Sequence, residues 1–423
     1  METQLSPSQE IKRRFSAMKT SKDFSLLLSY AQNIYFGKEN TKSISEKKLY
    51  YFANPEYNEF RYQQFSIAKK SGGERIINAP HKDLKTILKV LNFVLQQVLQ
   101  PHHAATGFVP GKSIVDNAKL HVGKNYVYNI DLKDFFHSFD KKRVKSGLIY
   151  SLKRVNISIE EPIAYLIACL CTHPLEIDGT IKTVLPQGSP TSPTLTNILC
   201  QRLDRRLSGL AKRFNATYSR YADDISFSSD HNIYQEEFLD ELNRIISVDN
   251  KFELKLDEIK LGPELKLNNK KTRLQHKHGY RQEVTGLIVN DKVNVHRSYV
   301  KTIRTWLYQW ERYGYKKAQA NFKKDYMSDK GHIKSNNAEL VNVLSGKLQF
   351  LKMVKGEHDP TFAKLNQRFE KLPKPNNKID KILDIWEKEG IDAAIELQKK
   401  QTLLSNNLVD ISVLLGENWD LDN

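Results

Sequence analysis

The chain has 423 residues, 39% hydrophobic and 10% aromatic, enough for one large or two to three ordinary domains with real cores. Its 66 Lys and Arg outweigh 49 Asp and Glu, and the resulting formal charge of +17 points to a polyanionic partner, nucleic acid first. The three cysteines, Cys169, Cys171 and Cys200, fit neither a zinc site nor a disulfide framework, and the longest apolar runs, such as IAYLIACLC at 163–171, are too short to span a bilayer.

The opening METQLSPSQEIKRRF has no signal-peptide apolar core, and together with the cysteine usage it predicts a soluble intracellular protein. DFSLLLSYAQNIYFG carries apolar residues at helical spacing. RYQQFSIAKKSGGERIINAP (61–80) reads as strand, Gly-Gly turn, strand, and HKDLKTILKVLNFVLQQVLQ as a helix stopped at Pro101. ATGFVPGKSIVDNAKLH reads as a loop punctuated by Gly and Pro. YVYNIDLKDFF is a buried strand running into a turn, 141–171 is helical, and LEIDGTIKTVLPQGSPTSP is a hairpin followed by a proline-rich turn. PTLTNILCQRLDRRLSGLAKRF is read as one amphipathic helix with a basic face. ATYSRYADDISFSSD is strand, Asp-Asp turn, strand; EEFLDELNRIISV is a helix; short strands close the region to residue 295. Residues 297–374 turn helical and basic, with 17 Lys and Arg against 7 Asp and Glu, whereas 375–423 hold 5 Lys against 10 Asp and Glu. Such a reversal of charge marks a boundary.

Two adjacent carboxylates, Asp223 and Asp224, repel one another unless the turn faces water or a cation sits on them. Asp131 ends a second hydrophobic strand. Carboxylates from separate segments meeting at one point are what two-metal phosphoryl chemistry needs: one cation activates the attacking oxygen, the other stabilises the leaving oxygen. An Asp-Asp pair in a turn is also ordinary turn chemistry, so the pair gains meaning from what accompanies it. Asp134, three residues past Asp131, is expected to cap the next helix.

YADD, a strand-terminal aspartate some 90 residues earlier, and LPQGSPTSP between them resemble the palm of reverse transcriptases, and the resemblance covers roughly residues 60 to 355. It implies an α+β right-hand polymerase: fingers, a palm of antiparallel sheet plus helices, and a helical thumb, with a small acidic C-terminal appendage. The corresponding divisions are an N-terminal helical segment 1–60, fingers and palm 61–296, thumb 297–374 and an acidic extension 375–423. Asp131, Asp223 and Asp224 are then the catalytic, metal-binding triad for two Mg²⁺ ions, with Mn²⁺ as a substitute. Phe136 falls where the family places its steric gate against a 2′-OH, with Phe135 the better core residue, and Gln187 and Gly188 line the nucleotide pocket. Lys69 and Arg75 in the fingers hairpin would bracket the dNTP triphosphate. Lys271 resembles the basic residue near the fourth palm motif, with Lys270 an equal alternative. Val284, Thr285 and Gly286 fall at the primer grip.

NAKLH (Asn117 to His121) and VTG (284–286) fit the two signatures of retron reverse transcriptases. That resemblance implies a cytoplasmic bacterial enzyme. Such an enzyme binds a cognate structured non-coding RNA, primes from a guanosine 2′-OH and copies part of the RNA into a branched RNA–DNA hybrid, msDNA. These systems act in antiphage defence with an effector protein. Asn117 and His121 are expected to contact RNA, although a helix-end histidine can equally be structural. In RTWLYQWERYGYKK, Trp306, Trp310 and Tyr313 share a helical face read as core. Arg304, Tyr308, Arg312, Tyr315, Lys316 and Lys317 are the RNA-contacting candidates. The acidic extension is read either as a dock for the effector or a second copy, or as a flap covering the thumb. The alternatives are a non-retron bacterial reverse transcriptase, defence-associated or of the group II intron kind, and a catalytically inactive RNA-binding scaffold.

Overall fold

The computed structural model describes residues 5–37, 42–57, 59–68, 73–177, 179–252, 266–267, 273–277, 281–329 and 338–373. The chain divides into two compact units, Met1–Ile67 with Glu74–Asn294, and Ala68–Gly73 with Val295–Asn423.

The first unit opens with α1 (Pro7–Ala17), α2 (Ser21–Phe36) and α3 (Glu46–Ala53). Capping boxes start the first two, Ser6 with Gln9 and Thr20 with Asp23, satisfying N–H groups that have no intrahelical partner. Gly37, at φ 61°, ends α2. A hairpin of β1 (Tyr62–Ala68) and β2 (Glu74–Pro80) follows, then α4 (Lys82–Val98). Phe15, Phe24 and Leu28 are buried in one core with Leu84, Leu88 and Leu91 of α4, so the N-terminal helices pack as part of this unit.

The stretch read as a loop contains α5 (Ile114–Lys119), started by a reciprocal Ser113–Asp116 capping box. Its four buried side chains, Ile114, Val115, Asn117 and Ala118, span too short a stretch for periodicity to reveal. Next come β3 (Tyr126–Lys133), α6 (Lys141–Lys153), α7 (Glu161–Cys171) and the hairpin β4 (His173–Ile177) with β5 (Thr180–Val184). The cap of α6 is Asp140, whose carboxylate accepts from the Arg143 amide. Asp134, expected to cap, instead takes up a left-handed backbone at φ 49° with its side chain in solvent beside Lys133.

The single helix expected over 193–214 is two, α8 (Ser192–Leu199) and α9 (Gln201–Arg213), separated where Cys200 leaves helical geometry at ψ 1°. After them come β6 (Thr217–Tyr221), β7 (Asp224–Ser229), α10 (Glu236–Phe252), β8 (Lys266–Leu267), β9 (Arg273–His276), β10 (Glu283–Val284) and β11 (Leu287–Ile288). Among the described residues the central sheet runs β6-β7-β3, with β8 and β9 both pairing the far side of β3, and every pairing antiparallel.

Strand alternation divides this sheet chemically. Tyr218, Ile225, Phe227 and Ile130 point to one face, where Phe227 meets Phe238 of α10 edge-on at 5.3 Å. Asp131, Asn129, Ser226, Ser219 and Ser228 point to the other, and Ser226 donates to Asn129 across the pair.

The second unit contains α11 (Arg297–Asp329), α12 (Leu340–Lys355) and α13 (Pro360–Glu370). Gly314, at φ 75° and ψ 166°, breaks α11 into two helical pieces. Trp310 is the centre of its core, packing on Phe369 at 6.0 Å and Tyr315 at 4.9 Å. A bidentate Arg368–Glu311 pair joins α13 to α11. No helix among the described residues is long and apolar enough to cross a membrane.

Candidate active site

The hairpin β6–β7 closes tightly: Tyr221 pairs with Asp224, leaving Ala222 and Asp223 as the turn. Two-residue hairpins call for positive φ, which Gly, Asn and Asp supply cheaply. Here Ala222 takes φ 55°, an uncommon conformation for a residue with a Cβ. β7 then pairs with β3 in a register that puts Asp224 directly opposite Asp131, and the Leu132 amide donates to the Asp223 carbonyl at 3.2 Å. Directly opposed residues have Cβ atoms roughly 4.5–5.5 Å apart on one face, so two like charges are held together at a cost to the fold. Asp131 is 6% exposed, Asp223 half-buried and Asp224 open to solvent.

The donor set suits Mg²⁺, which takes hard carboxylate oxygens. As oriented, no three His, Cys, Asp or Glu side chains among the described residues are grouped so as to hold one metal ion. That is compatible with Mg²⁺, which is held by one or two carboxylates and completes its shell with substrate phosphates and water.

Around this turn the sequence-derived candidates fall into place unevenly. Phe135 is buried, and the half-buried Phe136 opens a short 3-10 turn, with the two rings edge-on at 5.6 Å. Gly188 sits at φ 114°, and a Cβ there would lie 2.8 Å from the Asn78 carbonyl oxygen and 2.9 Å from Ile77. The glycine is therefore required by the β2 backbone, to which the neighbouring Gln187 carbonyl is also tied by the Asn78 amide at 2.8 Å. Arg75 lies half-buried on β2. Lys69, Lys270 and Lys271 lie outside the described residues, as does the extension 375–423.

Asn117 and His121 are corrections. Both are fully buried, not displayed to RNA. Thr106 donates to the Asn117 side-chain oxygen at 2.7 Å. The two ring nitrogens of His121 lie 2.7 Å from the hydroxyls of Ser228 and Ser219, so the imidazole bridges β7 and β6 on the polar face of the sheet. Burial pushes its pKa down to about 3. The VTG segment is the tight turn of the β10–β11 hairpin, with Val284 buried. Thr285 (φ 48°) and Gly286 (φ 74°) supply the two positive φ values of a type I′ turn. The Thr285 hydroxyl donates to the Ile114 carbonyl at the start of α5, and the Asn129 amide reaches the Glu283 carbonyl at 2.6 Å. The β10–β11 hairpin that carries VTG thus packs against α5, the helix that carries Asn117.

In the second unit Arg304, Tyr308, Arg312, Lys316 and Lys317 are all solvent-exposed, and the first three follow one another at four-residue steps along α11. The break at Gly314 overturns two expectations. Tyr313, read as core, is 46% exposed beneath the Lys317 ammonium; Tyr315, read as an RNA contact, is half-buried against Trp310.

A set of residues not singled out in the sequence lies beneath the turn. Arg220 of β6 and Asp204 of α9 are both 0% exposed, and the guanidinium Nε and Nη2 each donate to the carboxylate at 2.7 Å. Tyr218 donates to the same carboxylate at 2.7 Å. The available signal was Asp204 standing between Leu203 and Leu207 on the apolar stripe of α9, where an unpaired charge is prohibitively costly.

Residues 67–295 match the family described as reverse transcriptase (RNA-dependent DNA polymerase). The chain is 35% identical over 277 residues to the retron Mx65 reverse transcriptase of Myxococcus xanthus, covering 63% of this chain and 60% of that one. It is 31% identical over 317 residues to the retron Ec73 reverse transcriptase of Escherichia coli, covering 73% of this chain and 86% of that one. Among solved structures it is similar to telomerase from Candida albicans in complex with a fragment of telomeric RNA, at 10% identity and a TM-score of 0.37, covering 81% of this chain and 67% of that one.

Proposed function

The chain belongs to the reverse transcriptase family, within its retron-type branch, and we propose that it is an RNA-directed DNA polymerase acting as a retron enzyme. It binds a cognate structured RNA, starts from a guanosine 2′-OH and copies part of that RNA into msDNA, in the service of antiphage defence. The observation that carries the reading is the register: Asp131 opposite Asp224, with Asp223 in the connecting turn.

Asp131, Asp223 and Asp224 would hold divalent metal, Mg²⁺ by donor chemistry. Bound there, the ions would lower the pKa of the attacking hydroxyl and neutralise charge on the phosphates. The chain's own residues do the positioning. Burial of Asp131 at the end of β3 fixes one carboxylate, and the hairpin turn presents the other two beside it. Phe136 forms a wall that a ribose 2′-OH would strike, favouring dNTPs. Gln187 and Gly188 line the nucleotide pocket, and Arg75, with Lys69, holds the triphosphate through forked and point-charge contacts. Val284, Thr285 and Gly286 support the primer end. The exposed row Arg304, Tyr308 and Arg312, with Lys316 and Lys317, meets RNA, offering charge to phosphates and one aromatic face to an unpaired base.

The test uses nucleic acid co-purified from cells expressing the chain with its flanking DNA, treated with RNase and a 2′–5′ debranching enzyme. A short DNA whose mobility changes on debranching is expected, absent in Asp223→Asn while that variant retains its RNA. An unbranched DNA product would refute the retron assignment, and synthesis by Asp223→Asn would refute the metal triad. The acidic residues 375–423 are proposed to dock an effector protein. Deleting them should remove co-purifying protein while leaving synthesis intact, and unchanged co-purification would sink the idea.

A further inference from the structure

The buried pair Arg220–Asp204 does more than neutralise itself. Arg220 keeps a third arm: Nη1 donates to the Ala222 carbonyl at 3.0 Å and to the Asn197 side-chain oxygen at 3.2 Å. Asn197 lies on α8, the helix that begins directly after the LPQGSP loop, and is 3% exposed. Its amide donates to the Gly107 carbonyl at 2.8 Å. Gly107 closes the circuit from the other side of the turn, because a Cβ there would lie 2.7 Å from the Ala222 nitrogen. The preceding segment is stitched along β6: the Arg220 amide donates to the Ala104 carbonyl, and the Thr106 amide donates to the Arg220 carbonyl, both at 2.9 Å.

The turn is therefore gripped at the Ala222 carbonyl from below and crowded at the Ala222 nitrogen by Gly107. This matters because Ala222 holds φ 55°. A strained backbone conformation persists only where its surroundings over-determine it. A buried ion pair is by itself weak evidence of stabilisation, since apolar residues of similar volume often serve as well. An apolar pair could not donate to the turn carbonyl, and Lys, with its single ammonium nitrogen, could not engage Asp204, Asn197 and Ala222 in one plane.

We propose that Arg220 and Asn197 are positioning residues that hold the Ala222–Asp223 turn in its strained form, so that Asp223 and Asp224 stand where metal requires them, and that they tie this turn to the helix following the nucleotide-pocket loop. The inference rests on the metal-triad reading of the site. It makes the metal geometry depend on an amide side chain that never touches metal, nucleotide or primer.

The test is a Mn²⁺ titration of the full chain followed by electron paramagnetic resonance, alongside thermal unfolding, RNA binding and DNA synthesis. The variants are Asn197→Ala, Asp131→Ala with Asp223→Asn, and Leu28→Ala as a fold-destabilised control in the α2 core. Asn197→Asp is a volume-preserving second version, keeping an acceptor for Arg220 while turning an oxygen against the Gly107 carbonyl. Both Asn197 variants should weaken Mn²⁺ binding about tenfold or more, with a similar loss of synthesis, while RNA binding stays within about twofold and Leu28→Ala binds Mn²⁺ as the unaltered chain does. Undiminished Mn²⁺ binding in folded Asn197→Asp would overturn the inference and leave the triad standing. Undiminished binding in the aspartate double variant would instead overturn the triad, and the positioning role with it. Equal weakening in Leu28→Ala would reduce the effect to general loss of stability and so refute it.

Discussion

His121 makes the stability of the first unit depend on pH in a way that can be calculated from its surroundings. It is fully buried between two serine hydroxyls at 2.7 Å, and burial holds its pKa at about 3. In the unfolded chain the same imidazole titrates near 6.5. Between these values the unfolded state binds a proton that the folded state does not, so stability rises with pH through this window. The contribution is complete above about pH 6.5 and is lost progressively as pH falls toward 3. Each pH unit below the unfolded pKa is worth about 1.4 kcal/mol, so moving from pH 7.5 to pH 5 should cost about 2 kcal/mol through this one residue. Burial also lowers His173, to about 4, and His137 and His102, all with the same sign. The informative quantity is thus the difference between the unaltered chain and His121→Gln, which keeps a donor and an acceptor for the serines but does not titrate. Urea unfolding at pH 7.5, 6.5, 5.5 and 5 should show the variant less stable at neutral pH, with the gap narrowing by about 2 kcal/mol at pH 5. Parallel curves would mean that His121 takes up a proton as readily in the folded protein as in the unfolded chain, and the account of the NAKLH segment as a neutral bridge between β6 and β7 would fail.

Two further outcomes follow from the packing. Asp204→Asn leaves the Arg220 guanidinium buried without its counter-charge and should cost about 3–5 kcal/mol by urea unfolding, whereas the double change Asp204→Leu with Arg220→Met should cost less than the single one; a double variant at least as destabilised as Asp204→Asn would contradict this. Phe136→Ala should open the wall beneath the sugar, raising ribonucleotide incorporation by tenfold or more; Phe136 is half-buried against the core, so the loss of stability should stay below that of truncating the fully packed Phe135. An unchanged preference for deoxynucleotides would place the gate elsewhere.

Much of the site was legible in the chain because its signals are local. YADD between two apolar runs reads as a tight hairpin, and YVYNIDLKDFF as a buried strand running into a turn. These short-range rules put Asp223 and Asp224 at the hairpin turn, as found, whereas the strand carrying Asp131 runs past it to Lys133 and pairs there with β8. The helical break at Gly314 lay in the same class of signal, a glycine inside an aromatic pattern. Periodicity carried the reading through it, and the positions of Tyr313 and Tyr315 were lost as a result.

What the sequence could not decide is what stands opposite each residue. Alternation says that Arg220 and Tyr218 share a face, and helical spacing says that Asp204 lies on an apolar stripe. Only the packing of α9 on β6 brings them together at 2.7 Å. His121 and Asn117 were expected at the RNA because of the resemblance carried by NAKLH; the fold buries them because Ser219, Ser228 and Thr106, distant in sequence, arrive with hydrogen bonds. Residue type and spacing thus fixed which groups could do chemistry, since those depend on a few neighbouring dihedrals. The register of β3 against β7 depends on contacts some 90 residues apart, and the turn between β6 and β7 is held by buried polar groups brought in from α8 and α9. Those contacts exist only once the whole core has closed.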